Sequence, residues 1–321
     1  MEQSVTSLSN LFTLYLSRSD LAESSVAVKS RALRYFIALF GDMVVEQITY
    51  GHAEDFRNWL RKGRSKQSAN IYVKNFKPFF VWLVKRAYIR SNPFDELQLF
   101  RVGRKKRRVY ESLGIERMMK VADVRWRAMI CLALCSLRRA EVLNLVVRDI
   151  HWDKGYILIS PKVDTEFTWL WDIKNHNQAI VPLPETMRFC DTTVNLHRLL
   201  IELIDWLPPR QPYIFLPPTL YQKLLARKNR GELGFDLRNN PWGNFSRDFR
   251  IVCKRAAVEP GRFHDLRGTF ANKMKTNGCS LDETQRLMRH ASINTTVEYY
   301  IQSDEQELVA KSASICEKCY T

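Results

Sequence analysis

The sequence predicts a mainly helical protein of the α+β class, with a small antiparallel sheet inside its second half. Apolar residues recur at helical spacing over most of the chain, and the β-branched runs are concentrated within residues 150–184. A length of 321 residues favours two domains. A basic run at residues 101–108 indicates where the chain passes from one domain to the other.

The first 100 residues are predicted to form a small helical bundle. The helical segments lie near residues 5–17, 22–40, 52–62 and 66–88. Five aromatic residues of the last segment are assigned to the bundle core rather than to stacking on nucleic-acid bases: Tyr72, Phe76, Phe79, Phe80 and Trp82. The basic turn before that segment carries Arg64 and Lys66, which we predict to contact DNA.

Charge independently points to a nucleic-acid partner. The chain carries 50 Lys and Arg against 34 Asp and Glu, a formal net charge of +16. Residues 1–110 hold 20 of the basic and 9 of the acidic side chains. Such an excess attracts the phosphate backbone and predicts affinity that falls with salt. No long apolar span accompanies the charge, so a membrane-surface partner is disfavoured.

The basic run is predicted to be a linker that lies against DNA, although a solvated linker has the same composition. The linker spans residues 101–109. Its predicted DNA contacts are Arg104, Lys105, Lys106, Arg107 and Arg108.

The second half begins with helices, continues with a sheet and returns to helices. The predicted strands are residues 157–159, 167–171 and 179–184. The later helices are predicted near residues 192–206, 219–228, 244–256, 265–277 and 281–288.

Basic side chains in this half have the spacing expected of residues that bind one anion together. Glu141 follows Arg138 by three positions at the start of a predicted helix, where its carboxylate can hold the guanidinium in one orientation. His264 and Arg267 share one helix face further along. His290 precedes Tyr299 by nine positions.

This grouping suits attack on a phosphodiester by tyrosine. A phenol with a pKa near ~10 is a poor nucleophile at neutral pH, and the phosphate repels an incoming oxyanion. Guanidiniums neutralise the phosphate oxygens and stabilise the charge that develops in the transition state.

The motifs resemble those of the tyrosine recombinase family, also called the phage integrase family. They occur in the family's order at residues 137–141 (LRRAE), 264–271 (HDLRGTFA), 287–290 (LMRH) and 295–299 (TTVEY). The resemblance implies a helical, SAM-like core-binding domain at residues 1–100 and a catalytic integrase domain at 110–321. It also implies a site-specific recombinase that needs no metal or cofactor.

The resemblance assigns roles to six residues. Tyr299 attacks phosphorus to form a 3′-phosphotyrosine, and Lys174 protonates the leaving 5′-oxygen. The phosphate is bound by Arg138, His264, Arg267 and His290. Lys174 is chosen because the family's lysine lies about eight residues before the proline of the closing strand. Lys162 at the previous turn is the alternative to Lys174, and Tyr300 is the alternative to Tyr299.

Three positions depart from the family's pattern. Ser136 and Arg289 each stand where the family usually has glycine, and Ile301 stands where a histidine is frequent. None of the three removes a catalytic group. For Arg289 we consider an added phosphate contact and a solvent-facing side chain.

The family resemblance also implies partners. The two domains are expected to clamp duplex DNA at recombination sites, and four subunits to assemble as a homo-tetramer on paired sites, with accessory DNA-bending proteins possible. The predicted helix at residues 304–312 either docks on a neighbouring subunit or packs on its own domain. The implied reaction is integration, excision or a related rearrangement, as in a mobile genetic element, and the sequence leaves integration, excision, resolution and inversion open. A type IB topoisomerase and a catalytically inactive DNA-binding protein are the alternatives.

The cysteines favour a reducing compartment. Seven cysteines without a secretory signal fit a cytoplasmic protein. Cys316 and Cys319 have the spacing of zinc ligands, but one pair cannot fill a tetrahedral site. No metal site is therefore expected.

Overall fold

The chain folds into two compact units, Met1–Lys105 and Lys106–Thr321. The computed structural model describes residues 7–17, 21, 23–103, 108–173, 178–290, 292–293 and 296–297. Both units are mainly helical, and the second also holds two small antiparallel sheets, so the predicted α+β class is confirmed. None of the helices in these residues is long and apolar enough to cross a membrane.

The first unit is a helical bundle. Its elements are α1 (Leu8–Leu16), α2 (Glu23–Phe40), a short 3-10 helix (Val45–Gln47), α3 (Tyr50–Lys62) and α4 (Lys66–Lys85). Serines begin two of the helices, because a serine hydroxyl can accept a backbone N–H that has no partner in the first turn. Ser7 accepts from Asn10 and Ser65 from Ser68, at 3.4 and 3.1 Å.

Phenylalanines fill the core of this bundle. The ring of Phe76 is surrounded by six others, with centroids 5.2 to 6.1 Å away: Phe12, Phe36, Phe56, Phe79, Phe80 and Phe94. Phe76, Phe79, Phe80 and Trp82 are buried, which confirms the predicted core, whereas Tyr72 is only half-buried.

The second unit is built around a helix, α6 (Val124–Leu134), whose C-terminal half is apolar and buried. Its helices are α5 (Ser112–Val121), α6 (Val124–Leu134), α7 (Arg139–Leu143), α8 (Leu196–Asp205), α9 (Pro218–Asn229), α10 (Phe235–Asn239), α11 (Phe245–Arg255), α12 (His264–Thr276) and α13 (Leu281–Leu287), with a 3-10 helix at Val147–Asp149. The residues of α6 from Ala128 to Leu134 are all buried. Helices α8 and α12 pack against it, so α6 supports the helix that carries His264 and Arg267.

The larger sheet is antiparallel and has three strands. They are β1 (Ile150–His151), β2 (Tyr156–Ile159) and β3 (Ala179–Pro182), in the order β1-β2-β3. Ile150 pairs with Ile157, which in turn pairs with Val181. The predicted strands at 157–159 and 179–184 correspond to β2 and β3.

The strand predicted at residues 167–171 is wrong. In this segment only Trp171 makes a β-bridge, to Lys162. The aromatic side chains are anchors for the core instead: the Trp169 ring stacks on Tyr213 at 4.1 Å, and its Nε1 donates to Asn144 at 3.0 Å. Burial of these rings produces the apolar alternation that predicted a strand.

The helix predicted at residues 192–206 begins later than expected. Residues Thr186–Phe189 (β4) and Thr192–Asn195 (β5) form a hairpin, and the helix starts at Leu196. Cys190 in the two-residue turn has a φ of 50°. Asn195 ends the hairpin and caps the helix, because its side chain accepts from the backbone of Arg198 at 2.7 Å.

Candidate active site

Arg138 lies at a turn between two helices of the second unit. Ser136, with a φ of 77°, reverses the chain after α6, and Arg138 is the N-cap of α7. Glu141 in the first turn of α7 accepts the backbone N–H of Arg138 and a guanidinium N–H, both at 2.7 Å. The carboxylate therefore fixes both the backbone and the side chain of Arg138.

Helix α12 positions His264 and Arg267 one turn apart. His264 is the first residue of the helix and is exposed, while Arg267 is buried at 1% exposure. Asp265 secures the start of the helix, accepting from the backbone and the guanidinium of Arg262 at 2.8 and 2.9 Å. The Arg267 guanidinium donates to the carbonyl of Met288.

The end of α13 is where these groups meet. The last carbonyls of a helix lack partners within the helix and carry partial negative charge. Three successive carbonyls here accept from side chains of other elements: Leu287 from Ser136 Oγ (3.1 Å), Met288 from Arg267 and Arg289 from Arg138 Nη2 (2.9 Å). The structure thus brings Arg138 and Arg267 to one short segment directly before His290.

Arg289 belongs to the same cluster, and the sequence did not predict this. Its Nη1 and Nη2 donate to the two carboxylate oxygens of Glu141 at 3.2 and 2.8 Å, and Nη2 also donates to the carbonyl of Ser136 at 2.8 Å. Its side chain is 14% exposed. The solvent-facing alternative is wrong, and the terminal nitrogens contact Glu141 and Ser136 rather than pointing to an open surface.

The backbone explains why glycine is usual at two of these positions. Ser136 and Arg289 have φ values of 77° and 51°, in the left-handed region that costs a residue with a side chain roughly 1–2 kcal/mol. This chain keeps that conformation without glycine. Each side chain forms a hydrogen bond between the α6–α7 turn and the end of α13.

Two guanidiniums surround the Glu141 carboxylate. Burial raises the pKa of Glu141, but the charges of Arg289 and Arg138 and their hydrogen bonds outweigh it, so the pKa lies below its usual range. Burial lowers the pKa of Arg289, yet an arginine stays charged in proteins. One carboxylate and two guanidiniums leave this cluster with a net positive charge.

His290 is oriented by a threonine. Its Nδ1 lies 2.9 Å from the hydroxyl of Thr296, a fully buried side chain. Gln285 binds its backbone on both sides, accepting from the N–H at 3.1 Å and donating to the carbonyl at 3.2 Å. The sequence used Thr296 only as part of a motif and missed this contact.

Of the two lysine candidates, the structure describes only Lys162. It is 2% exposed, and its ammonium donates to Asp149 at 2.9 Å and to the carbonyl of Ser160 at 2.8 Å. Burial lowers its pKa against the opposing attraction of Asp149. Lys174, Tyr299 and Tyr300 lie outside the described residues.

The predicted DNA contacts fall in several places. In the second unit, Arg108 pairs with the exposed Glu259 at 2.8 Å and donates to Pro260 at 3.3 Å. In the first unit, Lys66 is exposed at the start of α4. Arg104, Lys105, Lys106 and Arg107 lie outside the described residues, as does the predicted helix at 304–312.

Arg64 sits on an aromatic cluster of the first unit. Its guanidinium carbon lies 4.2 Å from the ring centroid of Tyr35, and the rings of Trp59 and Tyr72 are 5.5 and 5.7 Å away. Such stacking holds a guanidinium at a surface without neutralising it.

Metal ligands are not grouped in the part of the chain that the structure describes. No three His, Cys, Asp or Glu side chains there could hold an ion together. Cys316 and Cys319 fall outside that part.

Known proteins share this sequence pattern and fold. A model of the phage integrase family matches residues 109–307. The tyrosine recombinase XerD of Listeria innocua is 24% identical over 296 residues, which cover 87% of this chain and 88% of XerD. The Tn1549 transposon integrase in complex with circular intermediate DNA has a similar structure, with a TM-score of 0.65 at 17% identity over 94% of this chain and 97% of that one. A lambda integrase tetramer bound to a Holliday junction gives 0.62 at 14% identity, over 91% and 77%.

Proposed function

Because this chain belongs to the phage integrase family, we propose that it is a site-specific DNA recombinase, which cleaves and rejoins strands through a tyrosine. One observation carries the proposal: Arg138 and Arg267, far apart in sequence, bind successive carbonyls immediately before His290. Two guanidiniums and an imidazole so placed are suited to a phosphate that must accept further negative charge.

In this mechanism the scissile phosphate is bound by Arg138, Arg267, His264 and His290. The guanidinium of Arg138 has five N–H groups, of which Glu141 and the Arg289 carbonyl take one each. Its side chain is 23% exposed, so a phosphate can reach it. The Thr296 contact holds the His290 ring in one orientation for the same purpose.

Tyr299 is the proposed nucleophile. Its phenolic oxygen attacks phosphorus, the P–O5′ bond breaks, and a 3′-phosphotyrosine forms. Lys174 donates the proton that the leaving 5′-oxygen requires. The ion pair of Lys162 with Asp149 supports the choice of Lys174, because the Lys162 ammonium already donates to Asp149 and to the carbonyl of Ser160.

The reaction is reversible without an energy source. The phosphotyrosine conserves the phosphodiester, so a 5′-hydroxyl from another duplex can attack it and restore a continuous strand. Exchange at two duplexes requires four cleavages, and hence four subunits on paired sites. The lambda integrase tetramer on a Holliday junction supports this assembly.

The first unit is proposed to contribute affinity for the DNA backbone. Lys66 and the cation–π-supported Arg64 are charged groups on its surface. The linker arginines and lysines add further phosphate contacts. We place the reaction in the cytoplasm. We assign it to integration or excision of a mobile element, and the structural similarity to the Tn1549 transposon integrase supports this second assignment.

The test is trapping of the covalent intermediate. Wild type, Tyr299→Phe and Tyr300→Phe are incubated with nicked suicide substrates made from DNA flanking the gene, and adducts are separated by denaturing electrophoresis. An adduct that only Tyr299→Phe abolishes establishes Tyr299 as nucleophile. Loss only in Tyr300→Phe moves the role to Tyr300. Tight binding without any adduct contradicts catalysis.

A further inference from the structure

Arg289 occupies a backbone conformation that favours glycine, yet it retains a large side chain. The φ of 51° is unfavourable for arginine. The side chain compensates with two bonds to Glu141 and one to the carbonyl of Ser136. This contact joins the segment that precedes His290 to the turn that carries Arg138, 151 positions earlier in the chain.

The contact also changes the electrostatics at Arg138. Where a carboxylate pairs with one guanidinium, the two charges nearly cancel. Here Glu141 is 5% exposed and bonds to both Arg138 and Arg289, so the three side chains together carry one net positive charge. In a site of low exposure that charge acts strongly on a bound phosphate.

We propose that Arg289 is a positioning residue for strand cleavage: through Glu141 it fixes Arg138 and the His290 segment relative to each other, and it leaves their cluster cationic. The proposal rests on the proposed recombinase function. On this proposal Arg289 acts through Glu141 rather than on the DNA, since three of its five N–H groups donate to Glu141 and Ser136.

Three roles for Arg289 make different predictions. A positioning residue affects the rate of cleavage but not DNA affinity. A direct phosphate ligand affects both. A purely structural residue affects thermal stability and leaves the cleavage rate of the folded protein unchanged.

Arg289→Gly is the decisive variant, since glycine suits the φ of 51° and removes only the side chain. Arg289→Lys retains a charge near Glu141 but cannot bond both its oxygens in the planar geometry of a guanidinium. Arg286→Ala is the matched control. Arg286 is in the last turn of α13, its side chain is 79% exposed and it pairs only with the exposed Asp282 among the described salt bridges, so the control removes the same charge outside the cluster.

The first readout is single-turnover adduct formation on saturating suicide substrate, with Tyr299 intact. The second is the dissociation constant for DNA, measured in a Tyr299→Phe background so that the DNA is not cleaved. We expect Arg289→Gly to slow cleavage roughly 10- to 100-fold, by analogy with the loss of residues that orient metal-ligating side chains. Arg289→Lys should lie between it and wild type. The dissociation constant should stay within about twofold, and Arg286→Ala should cleave as wild type.

Wild-type cleavage by Arg289→Gly overturns the proposal, and so does an equal loss of cleavage and affinity. If Arg289→Gly does not fold, Arg289→Lys decides alone: cleavage slower than wild type at unchanged affinity supports the role, and wild-type cleavage refutes it. Absence of any adduct from wild type would instead refute the recombinase function. The two failures are therefore distinguishable.

Discussion

Replacement of Glu141 by glutamine tests whether the carboxylate between the two arginines stabilises the fold. Four N–H groups donate to it, at 2.7, 2.7, 3.2 and 2.8 Å. Glutamine keeps one oxygen but presents an NH₂ to the remaining donors, so at least two of these bonds are lost. Each hydrogen bond to a charged group contributes about 1.5–3 kcal/mol.

Counting two such bonds gives a loss of about 3–6 kcal/mol. Removal of one partner from a buried ion pair typically costs about 3–5 kcal/mol, which agrees with the loss counted from the two hydrogen bonds. A unit of this size loses about 2–4 °C of melting temperature per kcal/mol. We therefore expect Glu141→Gln to melt roughly 6–20 °C below wild type.

Thermal unfolding followed by circular dichroism on the full chain measures the effect. Glu232→Gln is the control, because Glu232 forms its salt bridges with Arg230 and Arg227 at the surface, where its side chain is 49% exposed. That variant should melt close to wild type. If Glu141→Gln melts together with the control, the carboxylate is not a net stabiliser and our account of the cluster is refuted.

Three further predictions concern the effect of acid on Glu141 and the roles of the two lysines. The pKa of Glu141 is lowered by folding, so its carboxylate contributes fully above the ordinary value of 4.5 and this contribution disappears as the pH falls through the lower folded value. The difference in unfolding free energy between wild type and Glu141→Gln, measured by urea titration, should shrink below pH 4.5, and a constant difference would contradict the assignment. Lys162→Met leaves Asp149 buried and unpaired and should lower the free energy of unfolding by about 3–5 kcal/mol. Lys174→Met should leave the melting temperature unchanged and should not form the adduct. A substrate with sulfur in place of the leaving 5′-oxygen should restore the adduct, because a thiolate leaves without a proton from a general acid. If this substrate rescues Lys162→Met and not Lys174→Met, the general acid is Lys162.

Local sequence patterns predicted most helices, because helical periodicity and capping depend on residues a few positions apart. The segments predicted near 66–88 and 244–256 correspond to Lys66–Lys85 and Phe245–Arg255. The same locality explains the errors. At residues 167–171 an alternating pattern arose from side chains that anchor a non-strand segment in the core.

The order of the motifs in the sequence selected Arg138, Arg267 and His290. In the structure the two arginines donate hydrogen bonds to the carbonyls of the residues directly before His290. The roles of Lys174 and Tyr299 stay predictions. The phosphate-binding residues could be predicted from the sequence because each motif is a short run of residues with a distinctive composition.

Only the tertiary structure revealed the ion pair of Arg289 with Glu141, the contact of Ser136 with Leu287 and the contact of Thr296 with His290. The sequence marked Ser136 and Arg289 merely as departures from glycine. The structural role of these two residues depends on a positive φ and on partners about 150 positions away, and the local spacing of residues predicts neither. Folding brings two turns together, and the contacts between them determine what those side chains do.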